Sequence, residues 1–395
     1  MLTIVEYSSN YDGGRVIMRS NCFRLYGSFR VIVFTLPLMW SCGQPIEHHS
    51  NLKERWNSLN NPIRFSSAYN FIWPDLPKEG KLDFTPWPDS YWPSYAGGIA
   101  DRWNYHDDNS PNSDSGSDAF KYDLYTLEQL KKMSLEDLKK LSPAEKYDIF
   151  VGDYDYPTVK RERRRTDPDR PSWEGLCHGW AAAALNFKEP GAITLEGANG
   201  INVPFGASDV KGLLTYYQGE ISESPFHMLG ARCEVASDAK PEDINSIECR
   251  DTNAGAFHVV IANQIGLLKE GFVADLSRYQ EVWNYPIYSF KTKEIKTLPP
   301  SEGAAPGTVK EVEVMTEMTY VTESGQSWEK AEITADYNSF ITDDLNYRLE
   351  IDEEDNVLGG EWLDERRPDF LWTHDVPEFE GYFRQLKDIY EAATH

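Results

Sequence analysis

The sequence predicts an α+β protein in which a helical half carrying a cysteine packs on an antiparallel sheet. Three observations predict it. Capping residues followed by leucines at helical spacing recur between Thr126 and Phe150. An alanine-rich, helix-prone run, "CHGWAAAALNF", begins at Cys177. From residue 256 the pattern changes to short apolar runs with turn signals between them, such as "EVEVMTEMTYVTE" and "YRLEIDEEDNVLGGEW". With 12 Trp, 22 Tyr and 18 Phe in 395 residues, the chain can build a large core. Its net charge of −25 argues against a nucleic-acid partner, because little here could neutralise phosphates.

In chain order, residues 1–42 read as an export signal. Arg19, Arg24 and Arg30 precede the apolar run "VIVFTLPLMW", which is too short to span a bilayer comfortably. The run ends at "LMWSCG", which resembles a bacterial lipoprotein cleavage site with Cys42 as the lipidated residue. The bland alternative is a buried N-terminal strand. Residues 43–118 read as a tether followed by an arm. Proline and tryptophan alternate through "FIWPDLPKEGKLDFTPWPDSYWPSYAGGIADRW" too densely for a helix or sheet interior, so its rings must drape over another surface. The acidic loop 106–118 reads as a solvated linker, and its spacing does not match an EF-hand.

Residues 119–255 form the helical half. Thr126, Ser134 and Ser142 are predicted N-caps, the last followed by Pro143 and Glu145 in a capping box. "KRERRR", 160–165, reads as a solvated basic run, with a processing site as the alternative. A helix is expected over 179–188 and another capped at Ser208. Cys233 and Cys249 flank a polar stretch and are the expected disulfide in an oxidising compartment. Residues 256–395 form the β-rich half, opened by a strand "HVVIA" and closed by an amphipathic helix.

Cys177 is then the odd thiol, a flag for reactivity in a secreted protein. At a helix N-terminus, unpaired N–H groups favour thiolate, and the residue's own amide can face an oxyanion. His178 reads as a poor base, because adjacent helical side chains diverge. No zinc-type Cys/His set appears, and the metal site is unknown. The expected base is His258 on the strand "HVVIA", oriented by Asp275 at the end of "GFVAD". Asn284 is the alternative orienting residue. Cys177 as mere core packing is the structural alternative.

Cysteine at a helix start, histidine at a strand start and an acid or amide one strand on is the order of papain-like cysteine enzymes, which this half resembles. Where those enzymes draw an oxyanion donor from a glutamine six residues upstream, this chain has Pro171; the Trp173 indole is the candidate replacement.

"VWNYPIYSFKTKE", 282–294, resembles the elicitor peptide VWNQPVRGFKVYE of the transglutaminase elicitor family of oomycetes and marine bacteria. Val282, Trp283, Asn284, Pro286, Phe290, Lys291 and Glu294 match. "PWPDSYWPSYAGGIADRW", "LSPAEKYDIFVGD", "CRDTNAGAFHVVIANQIG" and "GGEWLDERRPDFLW" resemble the same family. The resemblance implies a protein-glutamine γ-glutamyltransferase that joins Gln to Lys through a thioester. A peptidase, an amidase or deamidase, and a non-catalytic surface lipoprotein are the alternatives. The sequence itself requires no cofactor; the resemblance implies Ca²⁺. The implied partners are proteins bearing Gln and Lys, with a membrane met only through the lipid anchor.

Overall fold

Ser142 and Glu145 show how the helical half begins. The Glu145 N–H donates to Ser142 Oγ at 3.2 Å, and the Ser142 N–H donates back to Glu145 Oε2 at 2.9 Å. This capping box starts a helix that Gly152, with φ of 81°, then terminates. The computed structural model describes residues 56–104, 121–232, 251–277, 281–331 and 339–395. The signal region 1–42 with Cys42, the Cys233–Cys249 pairing and the acidic loop 106–118 lie outside the described residues. All described residues belong to the unit Asn51–His395.

The helices are α1 (Leu127–Leu130), α2 (Leu135–Lys139), α3 (Pro143–Val151), α4 (Pro157–Arg165), α5 (Cys177–Asn186), α6 (Ala207–Tyr216), α7 (Ala254–Ile261) and α8 (Leu386–Thr394). The strands are β1 (Glu79–Lys81), β2 (Ile193–Glu196), β3 (Asn202–Phe205), β4 (Phe226–Gly230), β5 (Val273–Asp275), β6 (Asn284–Leu298), β7 (Lys310–Val321), β8 (Phe340–Ile351), β9 (Val357–Trp362) and β10 (Phe370–His374). Among the described residues, β2 and β3 make a hairpin. The others form one antiparallel sheet in the order β4-β10-β5-β6-β7-β8-β9, with β1 also paired to β6. Central β6 is therefore hydrogen-bonded along both edges, to β5 and β1 on one side and β7 on the other.

Two hydrophobic cores result. One is helical and gathers Trp87, Trp92, Trp180, Leu213 and the last helix through Leu386 and Ile389. The other lies on the sheet and gathers Trp73, Phe257, Tyr347 and Leu349. The Trp/Pro stretch crosses between them: Trp73, Leu76 and Leu82 enter the sheet core, and Trp87, Trp92, Ile99 and Trp103 the helical one. Its indoles reach buried partners. Trp87 Nε1 donates to Phe187 O at 2.9 Å and Trp103 Nε1 to Asp209 Oδ1 at 3.0 Å.

Two local expectations are corrected. Residues 254–261 are helix α7, not a strand. Asn253 caps it, its Oδ1 accepting from the Gly255 and Ala256 N–H groups at 2.9 and 3.2 Å. A short β-branched run such as "HVVIA" cannot be assigned by period alone, and the cap decides it. Helix α6 starts one residue before Ser208, with Gly206 as N-cap. Ser208 Oγ instead donates to Asp89 Oδ1 at 2.6 Å. The basic run 160–165 lies within α4, where buried Glu162 accepts from Arg165 at 2.7 Å and from the Ile99 N–H at 3.1 Å. No helix among the described residues is long and apolar enough to cross a membrane.

Candidate active site

Cys177 is the first residue of α5 and lines a cleft of about 680 Å³. The helix has no capping side chain, since Leu176 holds the N-cap position, so its first-turn N–H groups are left without one. Trp180 and Ala181 to Ala184 are buried behind Cys177 and fix the helix in the core. Gly179 allows α5 to meet α6 backbone to backbone: a Cβ there would lie 2.2 Å from Thr215 O.

The sulfur has two polar neighbours from one segment. The Cys177 thiol donates to Val282 O at 3.5 Å. Asn284 Nδ2 donates to Cys177 Sγ at 3.6 Å. Trp372 Nε1 fixes that amide by donating to Asn284 Oδ1 at 2.8 Å. This orientation puts the amide N–H, and not its oxygen, toward sulfur.

Two histidines line the cleft, His178 and His374. His374 has both ring nitrogens engaged. Its Nε2 lies 2.9 Å from Ser224 O, which can only accept, and its Nδ1 lies 2.7 Å from Gln218 Nε2. Burial lowers its pKa, so it stays neutral and occupied. His178 is different. Its side chain is 39 % exposed, and its Nε2 lies 3.7 Å from Glu220 Oε1. Burial opposes its charged form, but the Cys177 sulfur and the Glu220 carboxylate outweigh that and raise it to about 9. Glu220 comes from a π-helical turn, Tyr217–Ile221, that extends α6. Gly219 on that turn makes room for the ring, since a Cβ there would be 2.9 Å from His178 Nε2. His178, read from the sequence as a poor base, thus lines the same cleft as Cys177. At the end of a helix it needs only to turn toward the cleft, where Glu220 holds it.

The structure does not bring His258 to the thiol. It is fully buried on α7 in the sheet core, with Nδ1 2.7 Å from Tyr347 Oη and its ring 5.1 Å from that of Trp73. Burial pushes it down to about 3, so it is neutral at any ordinary pH. The physical reason is the helix: with 254–261 off the sheet, no strand pairing carries His258 toward β5. Asp275 ends β5 directly opposite Asn284. Its Oδ1 accepts from the Ser277 and Trp283 N–H groups at 3.0 and 2.9 Å, and so holds the backbone beside Val282. Burial raises its carboxyl to about 7. It positions the segment that carries Asn284, and among the described residues no histidine bonds to it. Trp173 does line the cleft with Cys177.

Among the described residues no group of three His, Cys, Asp or Glu side chains could hold a metal ion.

The model of the family described as transglutaminase elicitor matches residues 64–379. The fold is similar to the crystal structure of the GP42 transglutaminase from Phytophthora sojae, with a TM-score of 0.59 and 19 % identity over 85 % of this chain and 97 % of that one. No curated protein matches the sequence. The chain belongs to the transglutaminase elicitor family.

Proposed function

We propose that this protein is a protein-glutamine γ-glutamyltransferase whose nucleophile is Cys177. One observation carries the reading: a thiol at an uncapped helix start lies in an open cleft between an amide donor, Asn284, and a histidine, His178, that a carboxylate holds charged. This division of labour is papain-like, with His178 and Glu220 taking the parts expected of His258 and Asp275.

In the first half-reaction the Cys177 thiolate, its proton already on the charged His178, attacks the carboxamide carbon of a protein glutamine. The Cys177 N–H and the Trp173 indole are the candidate donors to the oxyanion. The C–N bond then breaks, His178 returns the proton, and ammonia leaves a thioester. In the second half an amine nitrogen attacks the thioester carbon. His178 takes the proton that the nitrogen sheds, the C–S bond breaks, and an isopeptide bond remains. Water in place of the amine gives deamidation, and the openness of the cleft makes this the competing outcome. Export with lipid attachment at Cys42 belongs to the same reading, since protein substrates bearing Gln and Lys would be met outside the cell.

The test is to incubate the full chain with a Gln-bearing protein and a labelled primary amine, measuring ammonia release and covalent label together. Both should occur, and both should vanish in Cys177→Ala. His178→Gln should slow both by at least about a hundredfold. Peptide-bond cleavage without label would sink the transferase reading in favour of a peptidase. An unreactive thiol and no ammonia would leave a non-catalytic surface protein.

A further inference from the structure

One wall of the thiol cleft is a face of the sheet. Trp372 and His374 alternate along β10 and Met228 and Phe226 along β4, and all four line the cleft with Cys177. Trp372 stands opposite Met228, and His374 opposite Phe226. Directly opposed residues share a face, with Cβ atoms about 5 Å apart. This wall reaches the nucleophile, because a single amide, that of Asn284, bridges the Trp372 indole and the Cys177 sulfur. Phe226 is 64 % exposed, the most of any large hydrophobic side chain among the described residues, and half-buried Met228 lies on the same face.

The histidine side of the cleft opens onto this wall. The His178 ring lies against Gly219, and the preceding residue, Gln218, bonds His374 Nδ1 at 2.7 Å. A nitrogen beside His178 thus has Trp372 and His374 next to it and Met228 and Phe226 beyond. That place has a chemical meaning. Ammonia leaves from the position at which His178 delivers its proton. The amine that replaces it forms its C–N bond at the same carbon and meets the same histidine, so it occupies the same position. What trails an incoming lysine nitrogen is a stem of methylenes. The acyl donor lies on the other side of the new bond.

We propose that the apolar face of Trp372, Met228 and Phe226 is the acceptor subsite, which takes the methylene stem of a lysine or another alkyl amine. The proposal rests on the transferase reading above and gives its second substrate a place in the cleft of Cys177 itself. The face acts on this substrate in two ways. A stem laid on it displaces water from apolar surface and from the neighbourhood of the thioester, which disfavours hydrolysis. Desolvation there also disfavours the ammonium relative to the free amine, the form that can attack. The ammonium gives one proton to water as it enters. The lone pair of the free amine forms the C–N bond, neutral His178 takes the second proton, and the C–S bond breaks to restore thiolate and charged His178.

The experiment uses the full chain, a Gln-bearing peptide, and methylamine, propylamine and pentylamine offered separately. These share one amine chemistry and differ in the stem. Amide product is measured per ammonia released in the same reaction. In the unsubstituted chain the amine KM should fall at least about tenfold from methylamine to pentylamine. In Phe226→Ser, at an exposed position that leaves the core intact, the pentylamine ratio should fall about tenfold while the methylamine ratio holds. Phe226→Leu should keep most of the preference for the longer stem. A KM that ignores stem length in the unsubstituted chain, or equal losses for all three amines in Phe226→Ser, would overturn the proposal. So would a raised KM for the Gln peptide with the ratios unchanged, which would put the donor on this face. If the unsubstituted chain releases no ammonia from the peptide, the transferase reading fails first and this assignment falls with it.

Discussion

The side-chain amide of Asn284 donates to the Cys177 sulfur at 3.6 Å, while Trp372 holds the far end of that amide at 2.8 Å. A hydrogen bond to a charged group contributes more than one between neutral groups. The amide therefore matters most when sulfur is thiolate. Asn284→Ala should slow iodoacetamide alkylation of Cys177 at neutral pH and lower acyl transfer by about ten- to a hundredfold. Trp372→Phe should act in the same direction but less, because it removes only the support. Alkylation at the unsubstituted rate in Asn284→Ala would show that the contact does not tune the thiol.

Glu220 sets the alkaline limit. His178 is raised to about 9, with Cys177 and Glu220 both favouring its charged form. A thiolate–imidazolium pair persists until His178 loses its proton, so the pH profile of kcat/KM should fall on a limb near 9. Glu220→Gln removes one of the two charges and should move that limb toward lower pH. The stability that the charged His178 contributes has the same sign: it is complete below about 6.5 and is lost as pH rises through about 9. A limb that stays in place in Glu220→Gln would remove Glu220 from the site.

Asp275 gives the same slope in a lower window. Its carboxyl is raised to about 7 by burial, above the unfolded value near 4. The folded state thus binds the proton more tightly. Stability from this group is full below about pH 4 and declines toward pH 7, at up to about 1.4 kcal/mol per pH unit. Asp275→Asn keeps an oxygen for the Ser277 and Trp283 N–H groups and carries no charge. Urea unfolding between pH 4 and 8 should therefore lose less stability with rising pH than in the unsubstituted chain. An identical pH dependence would contradict the buried carboxyl.

Gly179 is the tightest point behind the nucleophile. An alanine Cβ would sit 2.2 Å from Thr215 O, which is backbone and cannot swing aside. Gly179→Ala should cost about 1–3 kcal/mol of stability and displace α5 from α6, with transfer falling in step. The urea midpoint and activity together test this.

Much of the architecture was legible because it is encoded locally. Ser142, Pro143, Glu145 and Gly152 state the start and end of one helix within eleven residues of chain, and the alternation in 310–321 states a strand. The thiol was legible too, since its helix follows it immediately. Its surroundings were legible only in part: Asn284 was the alternative orienting residue, while the carboxylate beside His178 was not foreseen. "HVVIA" fits a strand and a buried helix equally, and Asn253 before it was the overlooked signal. Asn284 reaches Cys177, and Glu220 reaches His178, only through tertiary packing, and the π turn that presents Glu220 has no short-range pattern. Excluding His178 by helical geometry treated it as a mid-helix residue, whereas the second residue of a helix borders the open end.

Segment 282–294 starts at the sulfur and continues into β6, zipped to β5 and β1 on one edge and to β7 on the other. A receptor or antibody that reads this stretch as a free extended peptide would have to take the place of those neighbours. The stretch can be a wall of the active site or a ligand for another molecule, but not both at once. Whatever recognises it in linear form is therefore a detector of the unfolded chain and not of the folded one.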